Sequence, residues 1–537
     1  MSDLSVGARV EHLGHRATVR FLGRLKGRPA DTWVGLEWDD HTRGKHSGAV
    51  DGVQYFQVDR PGSASFIKKS KLGAAGRVSF EAALRQRYVT DASDTSYREQ
   101  RHEIGGSGGK VEFRFGDCML PMRRLKFVDL SGLGVAAGLE EEKQPGDLLV
   151  AMRELRLADS LFESMRFVHQ ILNEFLKLAV LDVSRNVLGG SDSPAEAIEG
   201  ARHDCLHTLI MNSCNVAWKD IRTLCGRTPN LRELRVYNCS ITSLQQPEAF
   251  VQTFARLQLL DLDQNGVSWA TVVSHLGALP HLRELYLSRN GLEDCDALLA
   301  TEAGGGAVFR RLEILSLAGN KLDGWRVVTA LHALPALRQL RLAGNPVMAD
   351  EEDVERESLK CGVLVMTGRM HAIARVGQMQ LLDGSSISED ERLYAEKKYV
   401  IEVCAAGANA RGMAQAKLEN PRLEELWAKF ELDDNGGMGA GRKGVTGSMK
   451  DDLIKVQMEA TAKAGAGRQC VTRHVPRNVT IERVKRIANR LLRIKGVTEE
   501  VFIQVGGDIK EVEDESRDID YWLSFGDEGE GIKLICA

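Results

Sequence analysis

The chain has 537 residues, 43% of them hydrophobic and 27% charged, the balance of folded soluble proteins and too long for a single core, so two to four domains are expected. Its net charge of −4 gives no global bias toward nucleic acid or membrane, and no run of about 18 apolar residues offers a bilayer span. The ten cysteines form no Cys-x-x-Cys pair, and the amino terminus MSDLSVGARVEHLGH lacks a cationic stretch followed by an apolar one, so a reduced, cytoplasmic setting is expected.

Residues 1–80 differ from the rest, with 13 lysines and arginines against 8 acidic residues. A basic module in a mildly acidic chain suits an acidic partner. The segments RVEHL, ATVRFLG, TWVGLEWD, VQYFQV and ASFIKK are rich in β-branched and aromatic residues between Gly-bearing turns, which predicts a small antiparallel β-domain over residues 1–75. Within it, Arg43 to Phe56 reads RGKHSGAVDGVQYF, a compact loop that sets Lys45, His46 and Ser47 between Gly44 and Gly48. The elements VGARV, TVRFLG, WVGLEWDD, GKHSG, GVQYF and SFIKKSKL, in this order and spacing, resemble the CAP-Gly domain family.

That resemblance implies binding of acidic protein tails ending in an aromatic residue with a free carboxylate, such as the Glu-Glu-Tyr end of α-tubulin. Gly44 and Gly48 would let the backbone approach the tail and take positive φ. Lys45 would supply charge to carboxylates, and Trp33, Phe56 and Phe66 would form the groove for the terminal ring. His46 would donate a hydrogen bond where the family usually has Asn. Ser47 replaces the family's acid, and Ala64 stands where Gly commonly precedes Ser-Phe. The structural alternative makes Trp33 and Phe56 core aromatics and Lys45 a solvated loop lysine.

Residues 76–120 read as a linker. Its GGSGGK stretch invites a phosphate-loop reading, which fails because Ile104 and Val111 occupy positions that need Gly and Ser or Thr. No metal-ligand spacing, catalytic triad or paired-carboxylate signature is visible, and neither a cofactor nor an enzymatic activity is expected. His203, Cys205 and His207 lie close together, but Cys205 and His207 flank a repeat leucine, Leu206.

The middle of the chain is periodic. Seven segments fit L-x-x-L-x-L-x-x-N/C, starting at Leu178, Leu206, Leu231, Leu257, Leu282, Leu312 and Leu337, and weaker copies start at Leu125 and Met152. This predicts an α/β leucine-rich-repeat solenoid over residues 121–400, with Cys214 and Cys239 in the turn position that Asn otherwise fills. Residues Ala374 to Tyr399 resemble the cap that follows the last repeat in such proteins, with Ser388 and Glu391 as a capping box. The fifth residue of each copy would lie on the exposed strand face. That column, with Arg235, Tyr286 and Arg341 among its members, mixes charge and aromatic character and suits a protein partner.

Residues 401–448 are Gly-rich in part and read as a flexible link. Residues 449–537 read as strand, strand, helix, strands, an α+β pattern that resembles a ubiquitin-like (β-grasp) domain. The final Ile-Cys-Ala is no Gly-Gly tail, so conjugation is not expected. The order of the three modules resembles the cofactor E family of tubulin-folding proteins. This implies a cytoplasmic, cytoskeleton-associated binding protein that captures α-tubulin and works with tubulin-folding cofactors B, C and D to assemble or dissociate the α/β-tubulin heterodimer, with no nucleic-acid or membrane partner. The alternative is a microtubule-associated scaffold or end-binding adaptor; sustained heptads would favour it, and none is seen.

Overall fold

The computed structural model describes residues 4–72, 76–88, 123–137, 149–189, 201–244, 247–294, 308–348, 366–406, 420–430, 453–460, 469–476, 501–505, 508–512 and 532–536, and residues 481, 482, 484, 485, 488 and 519. The GGSGGK stretch and the Gly-rich tract after residue 430 fall outside them. The chain divides into two units, residues 1–369 with 376–386, and residues 370–375 with 387–537.

The first unit opens with a four-stranded antiparallel sheet of order β1-β2-β3-β6, made of β1 (Arg9–His12), β2 (His15–Leu25), β3 (Arg28–Trp38) and β6 (Ala64–Lys68). A two-stranded hairpin, β4 (Ala49–Val50) with β5 (Val53–Gln54), interrupts it. The VQYFQV segment is therefore mostly loop. Alternation decides the faces. Val34, Leu36 and Trp38 of β3 point into a core with Val10, Ala17, Val19 and Leu72. Trp33, Gly35 and Glu37 point the other way.

Part of the expected 76–120 linker is ordered structure. β7 (Val78–Ser79) pairs in parallel with β9 (Val135–Ala137), and the helix Phe80–Tyr88 follows. Phe80, Ala83 and Leu84 are buried at helical spacing. The Phe80 ring lies 5.8 Å from that of Phe175, and the Tyr88 hydroxyl accepts from the Asp129 N–H at 2.8 Å. This short helix covers the open end of the solenoid, a need that periodicity alone does not reveal. The β-domain is tied to the same end. Glu163 accepts from the Arg9 N–H at 3.2 Å and pairs with Arg77, and Arg16 pairs with Asp159.

The repeats form one parallel ladder: β8 (Phe127–Asp129), β10 (Glu154–Arg156), β11 (Val180–Asp182), β12 (Thr208–Ile210), β13 (Glu233–Arg235), β14 (Leu259–Asp261), β15 (Glu284–Tyr286), β16 (Ile314–Ser316), β17 (Gln339–Arg341) and β18 (Leu381–Leu382), closed by antiparallel β19 (Ser385–Ser386). The fourth and sixth residues of the copies, such as Leu260 and Leu262, are fully buried. The turn Asn residues bind backbone as expected. Asn320 accepts from the N–H groups of Asn290 and Leu292 at 2.8 and 3.1 Å and donates to the carbonyls of Leu287 and Leu317 at 3.0 and 2.8 Å. Cys214 and Cys239 keep only a donor, to the Val183 and Met211 carbonyls at 3.3 and 3.0 Å. Burial pushes their thiols up to about 12 and about 11, so they stay protonated and inert. His203 Nε2 sits 2.9 Å from the Phe175 carbonyl oxygen, a structural contact.

In the second unit, Ser388 Oγ accepts from the Glu391 N–H at 3.1 Å, opening the helix Glu389–Ala406. Fully buried Glu396 pairs with Arg422 and, at 2.6 Å, with Lys429, both from the helix Arg422–Lys429. This helix lies inside the span expected as a flexible link. Its buried Leu423 and Leu426 have helical spacing that the neighbouring Gly-rich tract obscures. The carboxyl-terminal sheet has the order β21-β20-β24-β22-β23, with β20 (Leu453–Ala460), β21 (Gln469–Pro476), β22 (Val501–Val505), β23 (Asp508–Glu511) and β24 (Ile532–Cys536). β20 and β24 pair in parallel and the other pairs are antiparallel. Ile481, Val484 and Ala488 are buried.

Candidate functional site: an aromatic face on the first domain

The outward face of β2, β3 and β6 carries four rings around Phe66. Phe21, Tyr55 and Phe56 meet it edge-on with centroids at 5.9, 5.5 and 5.4 Å, and His46 stacks on it at 5.0 Å. Phe66 is half-buried and Phe56 is 8% exposed. Phe56 therefore supports the face from beneath. It fits because the facing residue is Gly35, where a Cβ would stand 2.3 Å from the Phe56 ring. Phe21, Tyr55 and Gly35 belong to the site and were not singled out in the sequence; Phe21 and Phe66 flank Gly35 across β3 in register, which only the strand pairing reveals.

The GKHSG loop crosses the end of this face. Lys45 and His46 both donate backbone N–H groups to the Ala64 carbonyl, at 2.7 and 3.3 Å, and the His46 carbonyl accepts from the Ala64 N–H at 2.9 Å. Gly44 is needed for close approach and not for its φ of −67°, since a Cβ there would lie 1.7 Å from the Gly62 carbonyl oxygen. Gly48 is needed for both reasons, with φ +91° and a Cβ position 2.0 Å from the Phe56 carbonyl oxygen. Ser47 Oγ accepts from the Gly62 N–H at 2.9 Å, so the residue in place of an acid braces the loop. Buried Glu37 accepts from Arg20 Nε and the Asp59 N–H, each at 2.7 Å, and holds the opposing 59–63 loop.

His46 Nδ1 accepts from the Gly48 N–H at 3.1 Å, which leaves Nε2 to carry the proton as an available donor. Burial, with a smaller effect of Lys45, lowers the His46 pKa, so the ring is neutral at pH 7. Lys45 is exposed. Trp33 is half-buried and stands one pleat repeat along β3 from Gly35, outside the ring cluster. Arg28 and Lys68 lie over its ring at 5.5 and 5.7 Å, and its buried indole N–H has no acceptor among the described residues. Lys68 also pairs with Asp31 at 2.7 Å, so the face joins an apolar ring pocket to a flank whose net positive charge comes from Arg28 and Lys45, the chemistry that suits a carboxylate-bearing aromatic ligand.

On the solenoid, Arg235, Tyr286 and Arg341 lie in one cross-strand column, with Arg235 beside Asp261, Asp261 beside Tyr286, Tyr286 beside Ser316 and Ser316 beside Arg341; the column is less open than expected, because neighbouring strands cover it, with Arg235 and Tyr286 half-buried and Ser316 buried. Arg235 is held by Glu233 at 2.5 Å. The Tyr286 hydroxyl donates to Glu284 at 2.9 Å, and burial with this bond pushes its pKa up to about 12. Arg341 is exposed and makes no ion pair among the described residues.

This β-domain is of the CAP-Gly class: the CAP-Gly domain model matches residues 6–72. Across the whole chain, tubulin-specific chaperone E of Danio rerio is 30% identical over 507 residues, covering 93% of this chain and 92% of the relative. Tubulin-folding cofactor E of Arabidopsis thaliana is 26% identical, covering 94% and 92%, and the Homo sapiens chaperone E is 26% identical, covering 91% and 90%. The chain belongs to the tubulin-specific chaperone E family.

Proposed function

We infer that this chain is a tubulin-folding cofactor that captures α-tubulin and, with cofactors B, C and D, assembles or dissociates the α/β-tubulin heterodimer in the cytoplasm. The observation that carries the reading is the aromatic face of the first domain, flanked by Lys45, Arg28 and Lys68. It suits an acidic tail ending in an aromatic residue. The terminal ring would pack on Phe66 and His46, and the carboxylates would meet the His46 Nε2–H and the cationic flank. Gly44, Ser47, Gly48 and Phe56 would shape and brace that groove, and Trp33 would hold Arg28 and Lys68 at its flank.

The repeat face, with Arg235, Tyr286 and Arg341, would contact the folded body of α-tubulin. Nine strands at roughly 4.8 Å spacing extend about 40 Å, comparable with a domain. Residues 449–537 form a ubiquitin-like domain in this reading, supported by the parallel central pair between antiparallel hairpins. The chain works by binding, with no covalent step of its own. Its domains are 1–75, 121–400 and 449–537, with 76–120 and 401–448 as connecting segments that include the two ordered helices.

Co-purification with soluble tubulin followed by sizing tests the reading. A complex of this chain with α-tubulin is expected, and loss of residues 449–537 should spare that complex while slowing heterodimer assembly or disassembly. Association with polymerised microtubules alone would oppose it.

A further inference from the structure

The third residue of each repeat opens its strand, so the second residue sits on the leading edge of the parallel sheet. At that position Lys126, Arg153, His207, Arg232, Arg283 and Arg338 are all exposed. Their carbonyls accept the ladder hydrogen bonds of the next strand, as from Glu154 N–H to Lys126, Val180 N–H to Arg153 and Leu381 N–H to Arg338 at 2.9–3.0 Å. The column is therefore held in register, one residue for each step of about 4.8 Å. The residue just before the first leucine of a copy adds exposed Arg124, Lys177 and Arg256.

Little on the protein neutralises this edge. Its one acid in the second-residue column, Glu313, pairs with Arg283 at 3.3 Å. Arg153 and Arg338 bond backbone carbonyls of Met152 and Leu337 at 3.0 and 3.1 Å, which orders them along the edge without cancelling charge. Among the described residues no ion pair reaches Lys126, Arg153, Arg232 or Arg338. The trailing edge contrasts with it: the eighth residues of the copies include Arg185 and Arg289 but also Asp159, which the β-domain already engages. A chain of net charge −4 thus concentrates positive charge along one edge for roughly 40 Å.

We propose that this leading edge binds an extended acidic polypeptide segment of the tubulin client, separate from the aromatic-ended tail taken by the first domain. The client's identity rests on the functional reading above; the acidic-polypeptide chemistry rests on the edge itself. No aromatic residue stands in the second-residue column to stack a base, and Ala179, Gln258 and Glu313 interrupt it, which favours flexible carboxylates over a continuous phosphate backbone.

The test uses the full chain and a labelled decaglutamate peptide with no aromatic end. Wild type should bind it with affinity that falls steeply as salt rises. A Lys126→Gln, Arg153→Gln, Arg232→Gln, Arg338→Gln variant should bind it at least tenfold more weakly and α-tubulin at least threefold more weakly, while keeping wild-type affinity for a short peptide ending in Glu-Glu-Tyr. A charge-preserving variant with Lys at the three arginines should bind decaglutamate as wild type does, which separates charge from folding. Equal binding by the Gln variant, or no binding by wild type at low salt, overturns the proposal. Tighter binding of a DNA duplex of equal charge overturns the polypeptide assignment. Loss of decaglutamate with full α-tubulin affinity overturns the client assignment. If wild type binds no tubulin at all, the functional reading fails, and the decaglutamate result alone decides the edge.

Discussion

Gly48→Ala should disable the aromatic face while leaving the solenoid folded. The residue has φ +91°, and an L side chain in left-handed backbone costs about 1–2 kcal/mol. Its Cβ would also stand 2.0 Å from the Phe56 carbonyl oxygen, so the loop must withdraw by more than an ångström (ordinary contact begins near ~3.4 Å). That withdrawal breaks the Tyr55 N–H to Gly48 carbonyl bond at 3.0 Å, the Gln54 bond to the Ser47 carbonyl at 2.9 Å and the Gly48 N–H to His46 bond at 3.1 Å. At about 0.5–1.5 kcal/mol each, the local cost reaches roughly 3–6 kcal/mol, enough to lift His46 off Phe66. Fluorescence anisotropy with an acidic peptide ending in Tyr should show at least 30-fold weaker binding. Gly52→Ala is the control: its φ is +77° but nothing lies within 4 Å of the added Cβ, so it bears backbone strain without collision and should lose threefold or less. Wild-type affinity in Gly48→Ala would refute the reasoning, as would equal losses in the two variants.

Arg341→Glu should weaken α-tubulin capture about two- to tenfold in a pull-down titration; Arg235→Glu also sets a carboxylate beside Glu233 and Asp261, so its melting temperature must be read alongside its affinity. Asn320→Ala strands buried Asn290 and Leu292 N–H groups and should cost roughly 2–5 kcal/mol in urea unfolding, well above the cost of Cys239→Ala, whose thiol makes weaker bonds. Burial, aided by Arg227 at 2.8 Å from Nδ1, lowers His169 to about 4. Between that value and an unfolded pKa of about 6.5 the unfolded chain binds the extra proton, so stability falls as pH drops through this window. The loss at pH 5 should approach about 2 kcal/mol, and His169→Gln should flatten that part of a melting-temperature profile between pH 7.5 and 5.

The strands of the first domain, the repeat ladder and the strands β20, β21, β22 and β24 of the last sheet were legible because hydrophobic periodicity and Gly spacing act locally; that β24 runs in the centre of that sheet and not at its edge was not, because strand order is set by distant pairing. Cys214 and Cys239 were readable as ladder residues because the repeat fixes the atom that must face the turn. The helices Phe80–Tyr88 and Arg422–Lys429 were hidden: each is short, amphipathic and next to a Gly-rich or polar tract, and each is stabilised by distant partners, Phe175 and Asp129 for one and Glu396 for the other. The site was legible in part. Lys45, His46 and the glycines announce a loop, but Phe21, Tyr55 and Gly35 join Phe66 only through cross-strand register. Phe56 has an underlying place that composition cannot separate from an exposed one.

The most direct test of tail capture is a titration of soluble α-tubulin into the full chain, comparing wild type with Lys45→Ala, Phe66→Ala. Removing the Phe66 contact with a buried terminal ring should cost about 1.5–3 kcal/mol, and removing the exposed Lys45 charge less than about 1 kcal/mol. The double variant should therefore bind at least tenfold more weakly yet still saturate, because the repeat face remains. Equal affinity for the two proteins, or no saturable binding by wild type, would contradict the account.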